Sequence, residues 1–254
     1  MSHTLVSEKN PLLKDVRRAS HLGALTSEGL ALAEGPHLLE EALRANAEIH
    51  AVIVAESSRT EIGSSHIRVL HVSDTVFAGL ASTEAPQGVL TLVRPPSWTF
   101  PDLLREPALV LVLDGIQDPG NAGAILRAAE AFGATGAVFL KGSVNPYNPK
   151  CLRASTGSIF RLPLVSNVTI EKLLKSVPLT YYAADPRAAR LISEGNLHGP
   201  CVLVIGSEGR GVSPELAAKA TSLRIPTSNV ESLNAAVATG ILLYEARRQR
   251  TNTP

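Results

Sequence analysis

Three loops in the second half of the chain each follow an apolar run and carry polar or glycine-rich residues. In the first, residues 113–127, the turn Asp118-Pro119-Gly120-Asn121 leads into a helical pattern that contains Arg127. An arginine fork donates two parallel hydrogen bonds and therefore suits a phosphate group. Taken alone, the loop also fits a tight turn in which Asn121 caps a helix and Arg127 is a solvated residue near Glu130.

The second loop, Ile205-Gly206-Ser207-Glu208-Gly209-Arg210-Gly211, holds three glycines within six residues. Glycine is favoured where a backbone approaches a ligand closely or turns with positive φ. The loop is not the nucleophile elbow of hydrolases, because isoleucine stands two positions before Ser207. A flexible strand-to-helix loop with a solvated Glu208 is the alternative interpretation.

The third loop runs from Ile225-Pro226 to Ser232-Leu233-Asn234 and joins an apolar run to the last helical pattern. Polar side chains at the start of a helix are often simple N-caps, so Ser232 and Asn234 do not indicate chemistry by themselves. All three loops share a position after an apolar run, and ligands of α/β proteins bind at the carboxyl ends of strands. The three loops together therefore predict one binding site.

Apolar runs and helical spacing alternate along the chain, which predicts an α/β fold. In the first part we predict strands at 49–55, 69–72 and 88–93, and helices at 36–43 and 74–80. In the second part we predict strands at 109–113, 137–140, 179–184, 202–205 and 223–225, and helices at 122–132, from 213, and at 233–248. The strands of the second part include continuous apolar runs, which indicates a mostly parallel sheet covered on both faces.

Prolines cluster between the two sets of elements, at Pro95, Pro96, Pro101 and Pro107. Because proline interrupts helices and sheet ladders, we predict two domains, 1–94 and 106–254, and a linker at 95–105. The formal net charge is +1, but residues 1–100 carry 8 basic and 11 acidic residues (net −3), whereas residues 101–254 carry 16 and 12 (net +4). The near-neutral total argues against a polybasic nucleic-acid binder, while the split leaves a mildly basic second half.

The composition excludes several other classes of protein. Hydrophobic residues make up 44% and charged residues 19%, which is typical of a globular chain and not of a disordered one. Two cysteines, Cys151 and Cys201, cannot build a zinc framework or a disulfide scaffold, so we expect a reducing compartment and no metal. The longest apolar run is about a third of a membrane span and the first residues lack a signal-like run, so we predict a cytoplasmic protein.

In this order the three loops closely resemble the three motifs of the SpoU family of RNA ribose 2′-O-methyltransferases, within the SPOUT superfamily. The matching residues are the run from Asn121 to Arg127, Gly206-Ser207-Glu208-Gly209, and Ser232-Leu233-Asn234. Residues 145–157 are similar to the middle segment of that family. Residues 33–35 and 85–88 resemble its substrate-binding domain, which is similar to ribosomal protein L30e.

The resemblance implies an enzyme that moves a methyl group from S-adenosyl-L-methionine to a ribose 2′-hydroxyl. It implies a C-terminal α/β domain with a parallel sheet and a trefoil knot, a small N-terminal L30e-like α/β domain, and a homodimer. The catalytic residues that it implies are Arg127, Asn121, Glu208, Ser232 and Asn234. The cofactor-binding residues that it implies are Ile205, Gly206, Ser207, Glu208, Gly209, Ile225, Pro226, Ser232, Leu233 and Asn234, and the candidate RNA contacts are Lys150, Arg153 and Arg210.

We expect Arg127 to act by positioning and charge, because a guanidinium stays protonated near neutral pH. We expect Glu208 to orient either Arg127 or its own loop. By the same resemblance, the two-domain organisation favours 23S ribosomal RNA over transfer RNA as the substrate. We expect a guanosine as the target, although no residue pattern reads out the base.

A transfer RNA 2′-O-methyltransferase of the same family is one alternative, and two functions outside the family's activity are also open. One is a non-catalytic RNA-binding or ribosome-assembly protein on the same scaffold. The other is a dinucleotide-dependent oxidoreductase built on the first loop, which the missing G-x-G-x-x-G spacing disfavours.

Overall fold

A computed structural model describes residues 6–60, 62 and 66–251, and these residues pack as two compact units. The first unit consists of the described residues up to Ser97 together with Tyr147–Phe160. The second consists of Trp98–Pro146 and the described residues from Arg161 onwards. Residues 147–160, which the sequence analysis places in the second domain, therefore pack with the first unit. Within the described ranges, no helix has both the length and the apolar character needed to cross a bilayer.

The first unit contains a four-stranded mixed sheet. Its first seven elements are α1 (Pro11–Leu22), β1 (Ala31–Glu34), α2 (Pro36–Arg44), β2 (Ile49–Ala55), β3 (Val69–Val72), α3 (Asp74–Ala78) and β4 (Val89–Val93). The strand order is β1-β4-β2-β3, in which β2 and β3 are parallel and the other neighbours are antiparallel. Alternate residues of β2 enter different cores: Ile53 packs with α1 and α3, whereas Val52 packs with Leu39 of α2. The unit is a small α/β domain, as predicted.

The remaining elements complete the second unit, apart from one helix that belongs to the first. In chain order they are α4 (Phe100–Leu103), β5 (Leu109–Asp114), α5 (Pro119–Ala131), β6 (Gly136–Leu140), α6 (Pro149–Ser155), β7 (Leu164–Val168), α7 (Ile170–Ser176), β8 (Thr180–Ala184), β9 (Cys201–Gly206), α8 (Pro214–Ala217), β10 (Ala220–Leu223) and α9 (Ala235–Thr251). Helix α6 lies within the part of the chain that packs with the first unit.

The six strands of the second unit are all parallel, in the order β10-β8-β9-β5-β6-β7. On one face, the valines of β5, β6 and β9 form a core with α4, α7 and α8. On the other face, α5 and α9 pack against each other and against the sheet. The chain runs outward from β5 to β6 and β7, and later returns to place β9 on the other side of β5. The carboxyl ends of β5 and β9 therefore meet where the strand order reverses, which is where open parallel sheets bind ligands.

Several elements differ from the sequence prediction. Four helices, α1, α4, α6 and α7, and two strands, β1 and β7, were not predicted. Strand β10 lies at Ala220–Leu223 instead of 223–225. The proline-rich segment is not an open linker throughout, because Asp102 accepts hydrogen bonds from the N–H and the hydroxyl of Thr99 and starts α4. Leu103 of this helix is fully buried in the core of the second unit.

Arg153 has a structural partner inside the first unit. The carboxylate of Glu34, only 4% exposed, accepts hydrogen bonds from the N–H and hydroxyl of Ser82 and from the hydroxyl of Thr83. Arg153 Nη1 lies 3.2 Å from Glu34 Oε2 and neutralises this buried charge. The pair ties α6 to β1, so the geometry supports a structural role for Arg153, and RNA contact by this residue stays a prediction.

Arg250 fixes the far end of α9, the helix that begins beside the third loop. Its guanidinium donates hydrogen bonds at 2.6–3.0 Å to four backbone carbonyl oxygens, those of Pro107, Ala108, Leu197 and Gly199. These residues precede β5 and β9, at the amino ends of the strands. Helix α9 is therefore held at the amino edge of the sheet by Arg250, while its first turn lies with the site at the opposite edge.

Candidate active site

The first and second loops leave the sheet side by side. In the parallel register of β5 and β9, Leu113 lies opposite Ile205 and Asp114 opposite Gly206. Asp114 Oδ2 accepts a hydrogen bond of 2.7 Å from the N–H of Ser213, which ties the end of the second loop to the end of β5. The two loops are therefore held together by the sheet and by one carboxylate.

Asp118, and not Asn121, caps the helix of the first loop. Its Oδ1 accepts a hydrogen bond of 2.7 Å from the N–H of Asn121, and α5 begins at Pro119, where proline is favoured. The sequence interpretation of Asn121 as an N-cap is wrong. Because the capping role is taken by Asp118, the amide of Asn121 is available for contacts with other loops.

Asn121 joins all three loops. Its Nδ2 donates a hydrogen bond of 2.5 Å to Glu208 Oε1 in the second loop. Its Oδ1 accepts a hydrogen bond of 3.0 Å from Asn234 Nδ2 at the third loop. Asn234 Oδ1 in turn caps α9 by accepting from the N–H of Ala236 at 2.9 Å. Residues that are 87 and 113 positions from Asn121 in the chain thus form one hydrogen-bonded row at the carboxyl edge of the sheet.

The second loop folds back on itself as a tight turn. The N–H of Gly211 donates to the carbonyl of Ser207 at 2.8 Å, and Ser207 Oγ accepts from the N–H of Arg210 at 3.3 Å. After the turn, the backbone of Gly211 and Val212 lies against Gly206. A Cβ added to Gly206 would lie 2.0 Å from the carbonyl carbon of Gly211. Gly206 is therefore required by close backbone packing, and Gly211 by its φ of +68°.

The other predicted cofactor residues differ in exposure. Ile205 is 2% exposed and its side chain belongs to the core, so only its backbone can face a ligand. Ile225 and Leu233 are half-buried, whereas Pro226 and Ser232 are exposed. The side chain of Ser232 makes no hydrogen bond within the described ranges, and Asn234 rather than Ser232 caps α9.

Arg127 is exposed on α5 and has no hydrogen bond or ion pair to any residue that the structure describes. Glu130, one turn away, is instead bound by Arg161, whose Nε and Nη2 lie 2.5 Å and 3.1 Å from its two oxygens. Glu208 contacts Asn121 and not Arg127, so within this chain it orients the loop. Arg127 follows Asn121 by six residues in α5. Helix geometry therefore places the two residues about 120° apart around the helix and about 9 Å apart along its axis.

The candidate RNA contacts lie in different parts of the fold. Arg210 is exposed in the second loop, next to the row of Asn121, Glu208 and Asn234. Lys150 is exposed on α6, within the first unit.

Sequence reasoning missed three residues that support the site: Asp114, Asp118 and Ser143. Ser143 Oγ accepts from the N–H of Gly115 at 3.0 Å and donates to the carbonyl of Leu113 at 2.9 Å, which steadies the first loop. Asp118 carried a usable signal, since an aspartate directly before proline is a common helix start. The contacts of Asp114 and Ser143 reach residues 99 and 28 positions away in sequence, so no local pattern reveals them.

Comparison with known proteins agrees with this geometry. Residues 108–244, more than half of the chain, match the model of the SpoU rRNA methylase family. The chain belongs to the SpoU rRNA methylase family. Residues 10–91 match the MRM3-like substrate binding domain. The predicted family and methyltransferase class are confirmed, and so is an α/β fold with a parallel second sheet and a small N-terminal α/β domain.

Individual relatives cover nearly all of the chain. A protein of Synechocystis named an uncharacterized tRNA/rRNA methyltransferase is 37% identical over 97% of this chain and 94% of its own length. The 23S rRNA (guanosine(2553)-2′-O)-methyltransferase of Bacillus subtilis is 30% identical over 95% of this chain and 98% of its own length. The SpoU methyltransferase AviRb of Streptomyces viridochromogenes, solved with the cofactor AdoMet, is 25% identical with a TM-score of 0.86, covering 97% of this chain and 100% of that one.

The hydrogen bond between Asn121 and Glu208 can be tested by adding a negative charge at position 121. In Asn121→Asp, two carboxylates would meet where Asn121 Nδ2 now donates to Glu208, and their repulsion should open the second loop. We expect the affinity for S-adenosyl-L-methionine, measured by calorimetry at pH 7.5, to fall about 10-fold. In the double variant Asn121→Asp with Glu208→Gln, the glutamine amide can donate to the new carboxylate, so binding should recover. Unchanged binding by the single variant would show that the row does not shape the cofactor site.

Proposed function

We propose that this protein is an S-adenosyl-L-methionine-dependent methyltransferase that modifies a ribose 2′-hydroxyl of ribosomal RNA, with a guanosine of 23S rRNA as the preferred target. The observation that carries the proposal is the hydrogen-bonded row of Glu208, Asn121 and Asn234, which joins all three family motifs at the carboxyl edge of the parallel sheet.

The second and third loops fit the cofactor. The Cβ positions of Gly209 and Gly211 face open space, so the backbone groups of this turn are accessible to a ligand. Ile225 and Leu233 supply partly buried apolar surface on the third loop, next to the capped start of α9. Backbone donors and acceptors beside apolar side chains suit a ligand with an adenine ring and an amino-acid group. When bound, S-adenosyl-L-methionine supplies an electrophilic methyl group.

The side chains of the three loops have separate roles in binding the RNA and positioning the reacting groups. Arg127 holds an RNA phosphate and stabilises the negative charge that develops on the 2′-oxygen while an oxygen of that phosphate accepts the hydroxyl proton. Asn121 and Asn234 fix the relative position of the loops, and Glu208 orients the second loop through Asn121. Ser232, exposed and without a side-chain hydrogen bond in the described part of the chain, is available to position the ribose. Arg210 and Lys150 are proposed as further RNA contacts.

We also propose a homodimer and a knotted C-terminal domain. Val237 and Tyr244 are 52% and 57% exposed and lie seven residues apart on one face of α9. The Tyr244 ring touches Phe132 edge-on, and the rest of this face is exposed apolar surface. The knot is proposed from the resemblance to the family. In the structure the chain returns from the edge strand β10 to α9, which packs against β9 and α5.

The first unit is proposed as the RNA-binding domain, with residues 1–94 as its main segment, 95–105 as the connection and 106–254 as the catalytic domain. The match of residues 10–91 to a substrate-binding domain supports this division. The cytoplasm is the proposed compartment.

The experiment that tests the activity is transfer of radiolabelled methyl groups from S-adenosyl-L-methionine to RNA. Purified protein is incubated with separated ribosomal and transfer RNA from cells that lack this chain. We expect label in large-subunit ribosomal RNA. Label in transfer RNA alone would favour the tRNA methyltransferase alternative, and tight RNA binding without label would favour a ribosome-assembly protein.

A further inference from the structure

Helix α1 carries a stripe of basic residues along its outer face. Lys14, Arg17, Arg18 and His21 follow one another at spacings of three, one and three, which places them on one side of a helix. The opposite side is buried in the core of the first unit through Leu13, Val16 and Ala19. Lys9 stands just before the helix and is exposed.

The stripe concentrates positive charge in a segment of otherwise acidic composition. Residues 9–21 hold four basic residues and one acidic residue, a net charge of +3. The rest of residues 1–97 holds four basic and ten acidic residues, a net charge of −6. The first unit also contains residues 147–160, which add Lys150 and Arg153, so its net charge outside residues 9–21 is −4. A polyanion is therefore attracted more strongly to the face of α1 than to the rest of the unit, which orients the encounter.

Lys14 of the stripe and the neighbouring Lys9 have no side-chain partner among the described residues. Arg18 binds Asp15 at 2.7 Å and Arg17 lies 3.3 Å from Glu8. The ammonium groups of Lys9 and Lys14 make no hydrogen bond or ion pair to any described residue, and both side chains are exposed. Even in its pair, the side chain of Arg18 is 49% exposed. Free lysines on a rigid helix are suited to phosphate oxygens, which they contact as point charges.

We propose that the outer face of α1 binds the phosphate backbone of the RNA substrate. Lys9 and Lys14 make the main contacts, and Arg18 makes a smaller contribution because it is paired with Asp15. This inference rests on the proposed function. Such contacts set the register and orientation of the RNA on the first unit and read no bases. Recognition of the target nucleotide is then left to other surfaces.

The test compares two double variants of the full chain that remove the same charge. K9A/K14A removes Lys14 of the stripe and the neighbouring Lys9, and K175A/K219A removes two exposed lysines of the second unit, of which Lys175 pairs with Glu171. The probe is an unmodified transcript of bacterial large-subunit ribosomal RNA, and its Kd is measured from 50 to 200 mM KCl. We expect K9A/K14A to weaken binding about 10-fold at 100 mM salt and to lower the salt slope by about 1 for each lysine removed. K9R/K14R should bind as the wild type does.

Three outcomes would overturn the inference: an unchanged Kd and slope in K9A/K14A, an equal loss in both double variants, or failure of K9R/K14R to bind. Calorimetry with S-adenosyl-L-methionine on each variant verifies that the second unit is intact. If the wild-type chain transfers methyl groups and K9A/K14A keeps its RNA affinity, only the role of α1 fails. If the wild-type chain neither binds this RNA nor transfers methyl groups, the proposed function itself fails.

Discussion

Replacing Arg127 by alanine should reduce methyl transfer by about 100-fold to 1000-fold, the range seen when a single donor to a developing oxyanion is removed. The residue is exposed and has no partner among the described residues, so its removal breaks no contact of the folded chain. We therefore expect the melting temperature and the affinity for S-adenosyl-L-methionine to change little. The measurement is the initial rate of methyl transfer at saturating cofactor, combined with calorimetry.

Arg105 provides the matched control. It is also an exposed arginine of the second unit, but it lies before β5, at the amino edge of the sheet. Arg105→Ala should keep wild-type rates. Arg127→Lys should recover only part of the activity, because an ammonium cannot make the two-point contact of a guanidinium. Transfer by Arg127→Ala within a few-fold of wild type would exclude the proposed role of this side chain.

Gly206→Ala should have the second large effect, through the backbone. The new Cβ would lie 2.0 Å from the carbonyl carbon of Gly211 and 2.2 Å from the nitrogen of Val212. The backbone of the turn must therefore move by about 1 Å or more to relieve the overlap. Overpacking of this kind costs about 1–3 kcal/mol of the free energy of unfolding. Displacement of Glu208 from Asn121 should also reduce methyl transfer by about 100-fold. Urea unfolding and the initial rate measure the two effects.

Gly199→Ala is the control for this substitution. Gly199 lies just before β9, at its opposite end, and nothing is within 4 Å of an added Cβ. This variant should match the wild type in stability and rate. If Gly206→Ala were as active and as stable as Gly199→Ala, close packing of the turn could not be what shapes the site.

The strands that position the site were predictable because their residues are apolar on both faces. Residues 109–113 and 202–205 were predicted within one residue at each end of β5 and β9. Elements at the periphery were harder to predict. Strand β7 has exposed residues at its centre, so it lacks the continuous apolar run of a buried strand. Helix α1 is rich in basic residues, and its few apolar residues are buried only because the helix packs on the first sheet.

The residues of the site were predictable as a set, but their partners were not. Local sequence suggested Asn121 as a helix cap, whereas the structure gives that role to Asp118 and uses Asn121 to join Glu208 and Asn234. The deciding contacts span about a hundred residues and depend on the neighbouring positions of β5 and β9 in the sheet. Arg153 was a candidate for RNA because it is basic, and its pairing with the buried Glu34 depends on α6 packing with the first unit.

The chemical position of the transferred methyl group tests the central claim most directly. S-adenosyl-L-methionine with a deuterated methyl group would be incubated with the wild-type chain and RNA from cells that lack it, and the RNA digested to nucleosides for mass spectrometry. The account predicts that the heavy methyl group is found on the ribose fragment of one nucleoside from large-subunit ribosomal RNA, and that Arg127→Ala produces almost none. A heavy methyl group on a base, or equal labelling by the wild type and Arg127→Ala, would contradict it.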